Sequence, residues 1–196
     1  MISLIDKVGI WHGMPQDTAE QMVWADNYYD SELIPLAQKS FCLRYEEQAQ
    51  GADYYGMFIL LGDDWAKSAF IVRLLAPQNI HILYQKHHAR QYSVLLDNLA
   101  LEPDRIVCTE FSDGGYASVC RCIQRQADIW SSVGSMAIDI TGGSLQSATA
   151  AAMMAGRCDI DLYRLDAHTE RGALRHDPGT EELLSYPRLS SIFASK

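Results

Sequence analysis

The sequence predicts an α/β fold: a Rossmann-like, doubly wound, mainly parallel sheet with helices on both faces, plus a partly helical N-terminal extension. Three observations carry this expectation. From residue 56 onward, short runs rich in β-branched and aromatic residues alternate with stretches long enough for helices of three turns or more. Proline and glycine punctuate the boundaries between them. One apolar run, Met136–Ile140, breaks at Gly142-Gly143 and passes directly into an Ala-rich segment.

The runs Met57–Leu61, Ile80–Tyr84, Arg105–Cys108, Met136–Ile140 and Ile160–Leu165 read as strands. Between them, Trp65–Leu75, Ala89–Leu99, Tyr116–Trp130 and Ser144–Ala155 read as helices. Crossovers of that length join parallel strands with a right-handed turn, so the helices cover both faces of the sheet. Pro77 follows the first helix, Pro103 follows the second, and Gly156 stands where the fourth would need a C-cap. The tail Asp177-Pro178-Gly179-Thr180-Glu181-Glu182-Leu183-Leu184 reads as a turn and then a short helix, ended by Pro187. Residues 1–55 do not join the alternation. Ala19–Gln38 reads as helical in part, with Asp17 or Thr18 as its cap and Pro35 as an interruption. This aromatic section either packs against the sheet or a second subunit, or connects to something outside the chain.

Composition bounds the function. The chain has 196 residues and a formal net charge of −9, which argues against a broad basic face for duplex nucleic acid. A small phosphorylated ligand stays open, because a few N–H groups and one or two cations dominate a pocket locally. Five cysteines (Cys42, Cys108, Cys120, Cys122 and Cys158) show no CxxC pair and no zinc spacing, and are expected to be buried structural thiols in a reducing cytosol. No signal peptide is visible and no apolar run approaches the ~20 residues that span a bilayer. A soluble, cytoplasmic protein is expected, with membrane attachment only through a segment outside this chain.

Ligands of such sheets sit beyond the carboxyl ends of the strands, where the strand order reverses. The loops Gly62–Trp65, Gln85–His88, Thr109–Gly115 and Thr141–Ser144 should therefore share one rim. Thr141-Gly142-Gly143-Ser144 is the strongest signal. Its hydroxyls suit phosphate or ribose oxygens, its glycines allow close backbone approach, and a helix N-terminus follows; the plain alternative is a turn with Ser144 as N-cap. Asp63 and Asp64 repel phosphate, so their loop faces a base or ribose, with Trp65 to stack and Ser68 to donate a hydrogen bond, unless the two acids only cap the helix. Lys86-His87-His88-Ala89-Arg90 concentrates positive charge, and is otherwise a solvated turn. Ser112 or Asp113, beside Gly114-Gly115, reaches a ribose hydroxyl or else forms a capped turn. There is no GxGxxG fingerprint, so no dinucleotide cofactor is expected, and no GxSxG elbow, P-loop lysine, Cys/His constellation or metal-ligand spacing. Asp139 reads as structural rather than catalytic.

Asp139-Ile140-Thr141-Gly142-Gly143-Ser144 before an Ala/Met-rich helix resembles the D-x-T-G-G-T-K signature of CARF domains, the CRISPR-associated Rossmann-fold sensors. The Gly62 loop after a hydrophobic strand agrees, as does the tail Pro178-Gly179-Thr180-Glu181-Glu182-Leu183 followed by Tyr186-Pro187. The resemblance spans about residues 56–193. It implies a homodimer binding a cyclic oligoadenylate across its two-fold axis and controlling an effector in type III CRISPR antiviral defence. Cyclic tetra-adenylate is the expected ring, because its two-fold symmetry matches the dimer. Residues 1–55 are then an N-terminal extension or effector connector and residues 56–196 a CARF-like ligand-sensing domain; either the effector lies outside this chain, or the chain is a small stand-alone protein whose N-terminal section does that work. Reading and resemblance together give the ligand-binding set Gly62, Asp63, Asp64, Trp65, Ser68, Lys86, His87, Ser112, Asp113, Gly114, Thr141, Gly142, Gly143, Ser144 and Gln146. Leu145 stands where the family pattern often has Lys, which either weakens phosphate attraction or moves that task to Lys86, Arg90 or Gln146. The implied role is a binding module. The alternatives are a ring nuclease that slowly cleaves the same ligand, and an unrelated α/β nucleotide-binding protein.

Overall fold

Strand β1 (Tyr54–Leu60) is the centre on which the other elements assemble, and Met57, Phe58, Ile59 and Leu60 are all buried. A strand covered on both faces needs an unbroken apolar run, and this one has it. The computed structural model describes residues 3–99, 101–112, 115–169 and 175–194. After β1 come α4 (Trp65–Leu75), β2 (Asn79–Gln85), α5 (Ala89–Leu99), β3 (Ile106–Phe111), α6 (Tyr116–Trp130), β4 (Ser135–Asp139), α7 (Leu145–Cys158) and β5 (Asp161–Asp166). Before it lie α1 (Leu4–His12), α2 (Ala19–Tyr28) and α3 (Ile34–Ala49); β6 (Glu182–Tyr186) and α8 (Leu189–Ala194) close the chain. The sheet order is β3-β2-β1-β4-β5-β6, with all pairs parallel except β5 with β6.

Alternating residues of β1 feed two cores. Met57 and Ile59 pack with Phe70 and Ile71 of α4, Leu95 of α5 and Ile34, Ala37 and Phe41 of α3. Phe58 and Leu60 pack with Val119, Ile123 and Trp130 of α6 and with Ala150, Ala151 and Met154 of α7. Each of the larger aliphatic and phenylalanine side chains among these contributes ~1.5–3 kcal/mol by leaving water. The N-terminal section thus packs against the sheet domain: α3 lies beside α4, where Phe41 and Phe70 stand 5.5 Å apart and the Gln38 amide donates to the Ala69 carbonyl.

Several local expectations change in the folded chain. The tail expected to be helical is strand β6, paired antiparallel with β5 so that Leu183 sits opposite Leu165. Gly179, at φ +99°, makes the turn that precedes it. The edge that β5 offers for pairing, and a buried slot for Leu183, outweigh the helix propensity of Glu-Glu-Leu-Leu. Gly156 lies inside α7 rather than capping it; the helix runs to Cys158, and Asp159 at φ 55° takes the left-handed position. Thr18 caps α2, as expected, through a capping box with Gln21. Pro35 does not break the chain's helical course. It occupies the first turn of α3, where its missing N–H leaves nothing unpaired, and the irregularity is a π-turn at Tyr29–Leu33 just before it. The thiols are free but not buried: Cys108 is exposed on edge strand β3 and the other four are partly exposed. Among the described residues no helix is long and apolar enough to cross a membrane.

Gly56 in β1 faces the Trp130 indole, where an added Cβ would lie 2.6 Å from Cζ3. Trp130 is nearly fully buried and packs against Phe58 at 5.0 Å, so it has little room to yield. Gly56→Ala should lower the unfolding free energy in urea by about 1–3 kcal/mol, the usual range for overpacking. A loss under about 0.5 kcal/mol would mean that the indole moves freely.

Candidate functional site

Parallel pairing sends the carboxyl ends of β1, β2, β3 and β4 to one rim, where the loops after β1, β2 and β4 gather as expected; of the Thr109–Gly115 stretch, Thr109–Phe111 belong to β3 itself. The chain builds β1, β2 and β3 outward in one direction and returns to β4 on the other side of β1. The crevice between the β1 and β4 loops is therefore the point of reversal.

Asp139 organises this crevice from below. It ends β4 between Ile59 and Tyr163 and is fully buried. Its Oδ1 accepts a hydrogen bond from the Thr141 N–H at 2.8 Å, and its Oδ2 accepts one from the Ser68 hydroxyl at 2.8 Å. Burial pushes its pKa up to about 6, against the opposing pull of those two hydrogen bonds. Thr141 Oγ1 accepts from the Leu165 N–H at 2.8 Å, and the Gly143 N–H donates to the Ile140 carbonyl at 3.2 Å. The turn is thus held on both sides before any ligand arrives.

Ser144 caps α7, its hydroxyl accepting from the Ser147 N–H at 3.3 Å. Leu145 and Gln146 open the helix and are exposed, and their N–H groups form no hydrogen bond among the described residues. These are the orphan donors that a helix N-terminus presents to an anion. Gly62 and Gly142 touch each other across the crevice: a Cβ on either would run into the backbone of the other. A Cβ on Gly143 would stand 2.7 Å from Leu60 Cδ1 and 3.1 Å from Ser147 Oγ. The sequence reads these glycines as room for a ligand; Gly62 and Gly142 also give the two loops room for each other.

The β1 loop differs from expectation in which side chains face outward. Trp65 is 6% exposed and Ser68 1% exposed, so neither stands free to meet a base. The first turn of α4 faces the core, where Trp65 packs and Ser68 holds Asp139. Asp64 caps α4, with Oδ1 accepting from the Ala66 N–H at 3.2 Å, while Asp63 is exposed. On the β2 loop Lys86, His87 and Arg90 face solvent and His88 turns inward, with Nε2 3.2 Å from Asp63 Oδ1. Burial and the neighbouring His87 hold the His88 pKa below its ordinary value, against the opposing pull of Asp63. Ser112 is exposed and lines a depression of about 710 Å³ with Thr109, Arg121 and Arg125, between β3 and α6 and away from the crevice. Asp113 and Gly114 lie outside the described residues. Sequence reasoning missed the partners that fix the rim loops, His88 for Asp63 and His176 for Asp64, because both pairs join residues distant along the chain.

Neither a protein-family model nor a curated protein matches the sequence. Solved structures do. Can2 from Sulfobacillus thermosulfidooxidans, in complex with cyclic tetra-adenylate, matches 63% of this chain and 35% of its own length, with 18% identity and a TM-score of 0.52. Csm6 from Enterococcus italicus, bound to cyclic hexa-2'-fluoro-hexa-dAMP, matches 72% of this chain and 44% of its own length, with 10% identity and a TM-score of 0.52. The chain therefore spans less than half the length of either protein. At these identities the likeness is one of fold, and the fold is that of the CARF-domain proteins the sequence resembles.

The raised pKa of Asp139 has a thermodynamic consequence. A carboxyl whose folded pKa exceeds its unfolded value favours the folded state most when protonated, and this contribution is lost as pH rises through about 6. Asp139→Asn keeps an acceptor for Thr141 and carries no charge. Its stability relative to the native chain should therefore improve between about pH 4 and pH 7.5 by roughly 2–3 kcal/mol, read by urea unfolding at both pH values. A difference independent of pH would show that the buried carboxylate ionises without penalty.

Proposed function

We propose that this chain is a homodimeric sensor of a cyclic oligoadenylate, bound at the β1/β4 crevice, and that it controls an effector in CRISPR-linked antiviral defence in the cytosol. The observation that carries the reading is the crevice itself: a tight turn after β4, clamped by Asp139, delivers the unpaired amides of α7 to the reversal point of the sheet. Fixed N–H groups at a helix N-terminus favour an anion there with little reorganisation. The two proteins of the same fold are described with cyclic oligonucleotides bound, which supports a ring of phosphates as the anion.

One such cradle meets only part of a ring. A second copy related by a two-fold axis supplies the other cradle, and a tetra-adenylate ring contains that symmetry. Thr141, Gly142, Gly143, Ser144 and Gln146 hold phosphate and ribose, while Gly62, Asp63 and Asp64 border the adenine side. Lys86, His87 and Arg90, exposed on the adjacent loop, supply positive charge in an otherwise acidic protein. Residues 1–55 connect to the effector.

Titration calorimetry with cyclic tri-, tetra- and hexa-adenylate tests the reading. Cyclic tetra-adenylate should bind with one ring per two chains and be recovered intact by chromatography after long incubation. Heat from none of the three rings overturns the proposal, and recovery of linear product replaces the sensor with a ring nuclease. A second expectation uses Leu145, which is 85% exposed on the first turn of α7. Leu145→Lys should tighten tetra-adenylate binding up to about fivefold at low salt, the scale of one exposed ion pair, and lose that gain as salt is raised. Unchanged affinity at low salt would place the phosphates away from α7.

A further inference from the structure

The rim carries a second group of ionisable side chains that ligand contact alone does not explain. His176, in the segment between β5 and β6, is fully buried, with Nδ1 2.6 Å from Asp64 Oδ2 and Nε2 3.0 Å from Glu181 Oε1. Its backbone N–H also donates to Asp64 Oδ2 at 3.3 Å. Glu181 is itself fully buried and accepts twice from the Gly179 N–H, at 2.8 and 3.0 Å. The Tyr29 hydroxyl donates to the His176 carbonyl at 3.1 Å and stands 3.2 Å from Nδ1. Burial works against a charged imidazole, but the hydrogen bonds and charges of Asp64 and Glu181 outweigh it and hold the His176 pKa above its ordinary value. Burial likewise works to raise the Asp64 pKa, and its hydrogen bond with His176 and the charge on that ring hold it low. The result is an imidazole ring clasped between two carboxyl groups.

Tyr29 opens the π-turn at which α2 passes into α3. Arg175, next to His176, lies over the Tyr29 ring at 4.5 Å and pairs with Asp26 of α2 at 3.1 Å. From α3, Arg44 donates to the Glu181 carbonyl at 2.9 Å. From α1, His12 Nε2 stands 2.8 Å from Asp177 Oδ1. The segment around His176 is therefore the place where the N-terminal helices meet the rim.

We propose that His176 is a positioning residue of the ring site, which fixes the Gly62–Trp65 turn through Asp64 and, through Tyr29, makes that turn move together with the α2–α3 junction. This rests on the cyclic oligoadenylate reading. Asp64 uses one oxygen to cap α4 and the other to hold His176. An adenine seated against Gly62, Asp63 and Asp64, on the side of the crevice away from the phosphates, displaces that turn by direct contact. The α4 side cannot yield easily, because Trp65 and Ser68 are buried and Ser68 is tied to Asp139. The displacement is taken up at His176, where buried charges in a low dielectric respond steeply to distance, and passes to Tyr29 and the π-turn. A π-turn has alternative hydrogen-bond registers available, which makes it a joint rather than a rod. Coupling of this kind is reciprocal: whatever the ring does to the junction, freeing the junction does to the affinity for the ring.

Hydrogen exchange on the full chain, with and without cyclic tetra-adenylate, tests this. In the native chain the ring should slow exchange both at residues 62–66 and at residues 28–34. Tyr29→Phe keeps the buried ring and removes only the hydroxyl; it should abolish the ligand-induced change at 28–34, keep that at 62–66, and weaken binding about fivefold by calorimetry. A hydroxyl with a purely structural role would raise exchange at 28–34 in the free protein and leave the ligand-induced change in place, which overturns the inference. Protection at 62–66 alone in the native chain overturns it too, while leaving the binding reading intact. Absence of binding in the native chain overturns that reading and the inference with it. Should Tyr29→Phe fail to fold, Glu181→Gln, which removes one of the two charges on His176, is expected to give the same loss at 28–34, and its persistence there counts against the proposal.

Discussion

At the top of the sheet the backbones of Gly62 and Gly142 touch, and every other feature of the candidate site depends on that contact. Two strands that leave a sheet side by side usually diverge, since their loops lead to helices on opposite faces. Here α4 goes to one face and α7 to the other, yet the loops stay together because neither residue carries a Cβ. The contact sets the floor of the crevice and the point from which α7 starts, so it also sets where the unpaired amides of Leu145 and Gln146 emerge. Glycine serves here for chain-to-chain approach, a use of its small size as demanding as approach by a ligand.

Buried ionisable groups hold this floor in place on either side. Asp139 braces the β4 turn and, through Ser68, the first turn of α4. Asp64 braces the other end of the same helical turn and reaches His176 and Glu181. Two carboxylates thus grip α4 near its N-terminus, one in a site that disfavours its charge and one in a site that favours it. A largely buried ion cluster is a poor source of net stability compared with an apolar core. The cluster of Asp64, His176 and Glu181 links the rim to the α2–α3 junction through Tyr29 and to α3 through Arg44.

The comparison with the two proteins of like fold is consistent with this division of labour. With identities of 18% and 10% and a TM-score of 0.52 for each, the likeness is one of fold rather than of side chains. A site built largely from main-chain N–H groups places few demands on side-chain identity beyond glycine and small hydroxyl residues.

Local pattern was enough for the sheet's strands from β1 to β5, for helices α4 to α7 and for the rim on which their loops gather. Apolar runs, helical periodicity, and turn residues at their ends all act within one element, so they can be read without knowing what that element touches. The same holds for Asp64 and Ser144 as caps, whose partners lie two or three residues away. What needed the folded chain was everything decided by distant partners. Strand β6 exists because β5 had an edge to offer and Leu183 a slot to fill, against the helical bias of its own residues. Trp65 and Ser68 turn inward because the helix they begin has its apolar side there, and Thr141 binds Leu165 of the neighbouring strand. The clasp of Asp64, His176, Glu181 and Tyr29 joins residues up to 147 positions apart, a separation at which spacing along the chain carries no signal and only packing brings charge to charge.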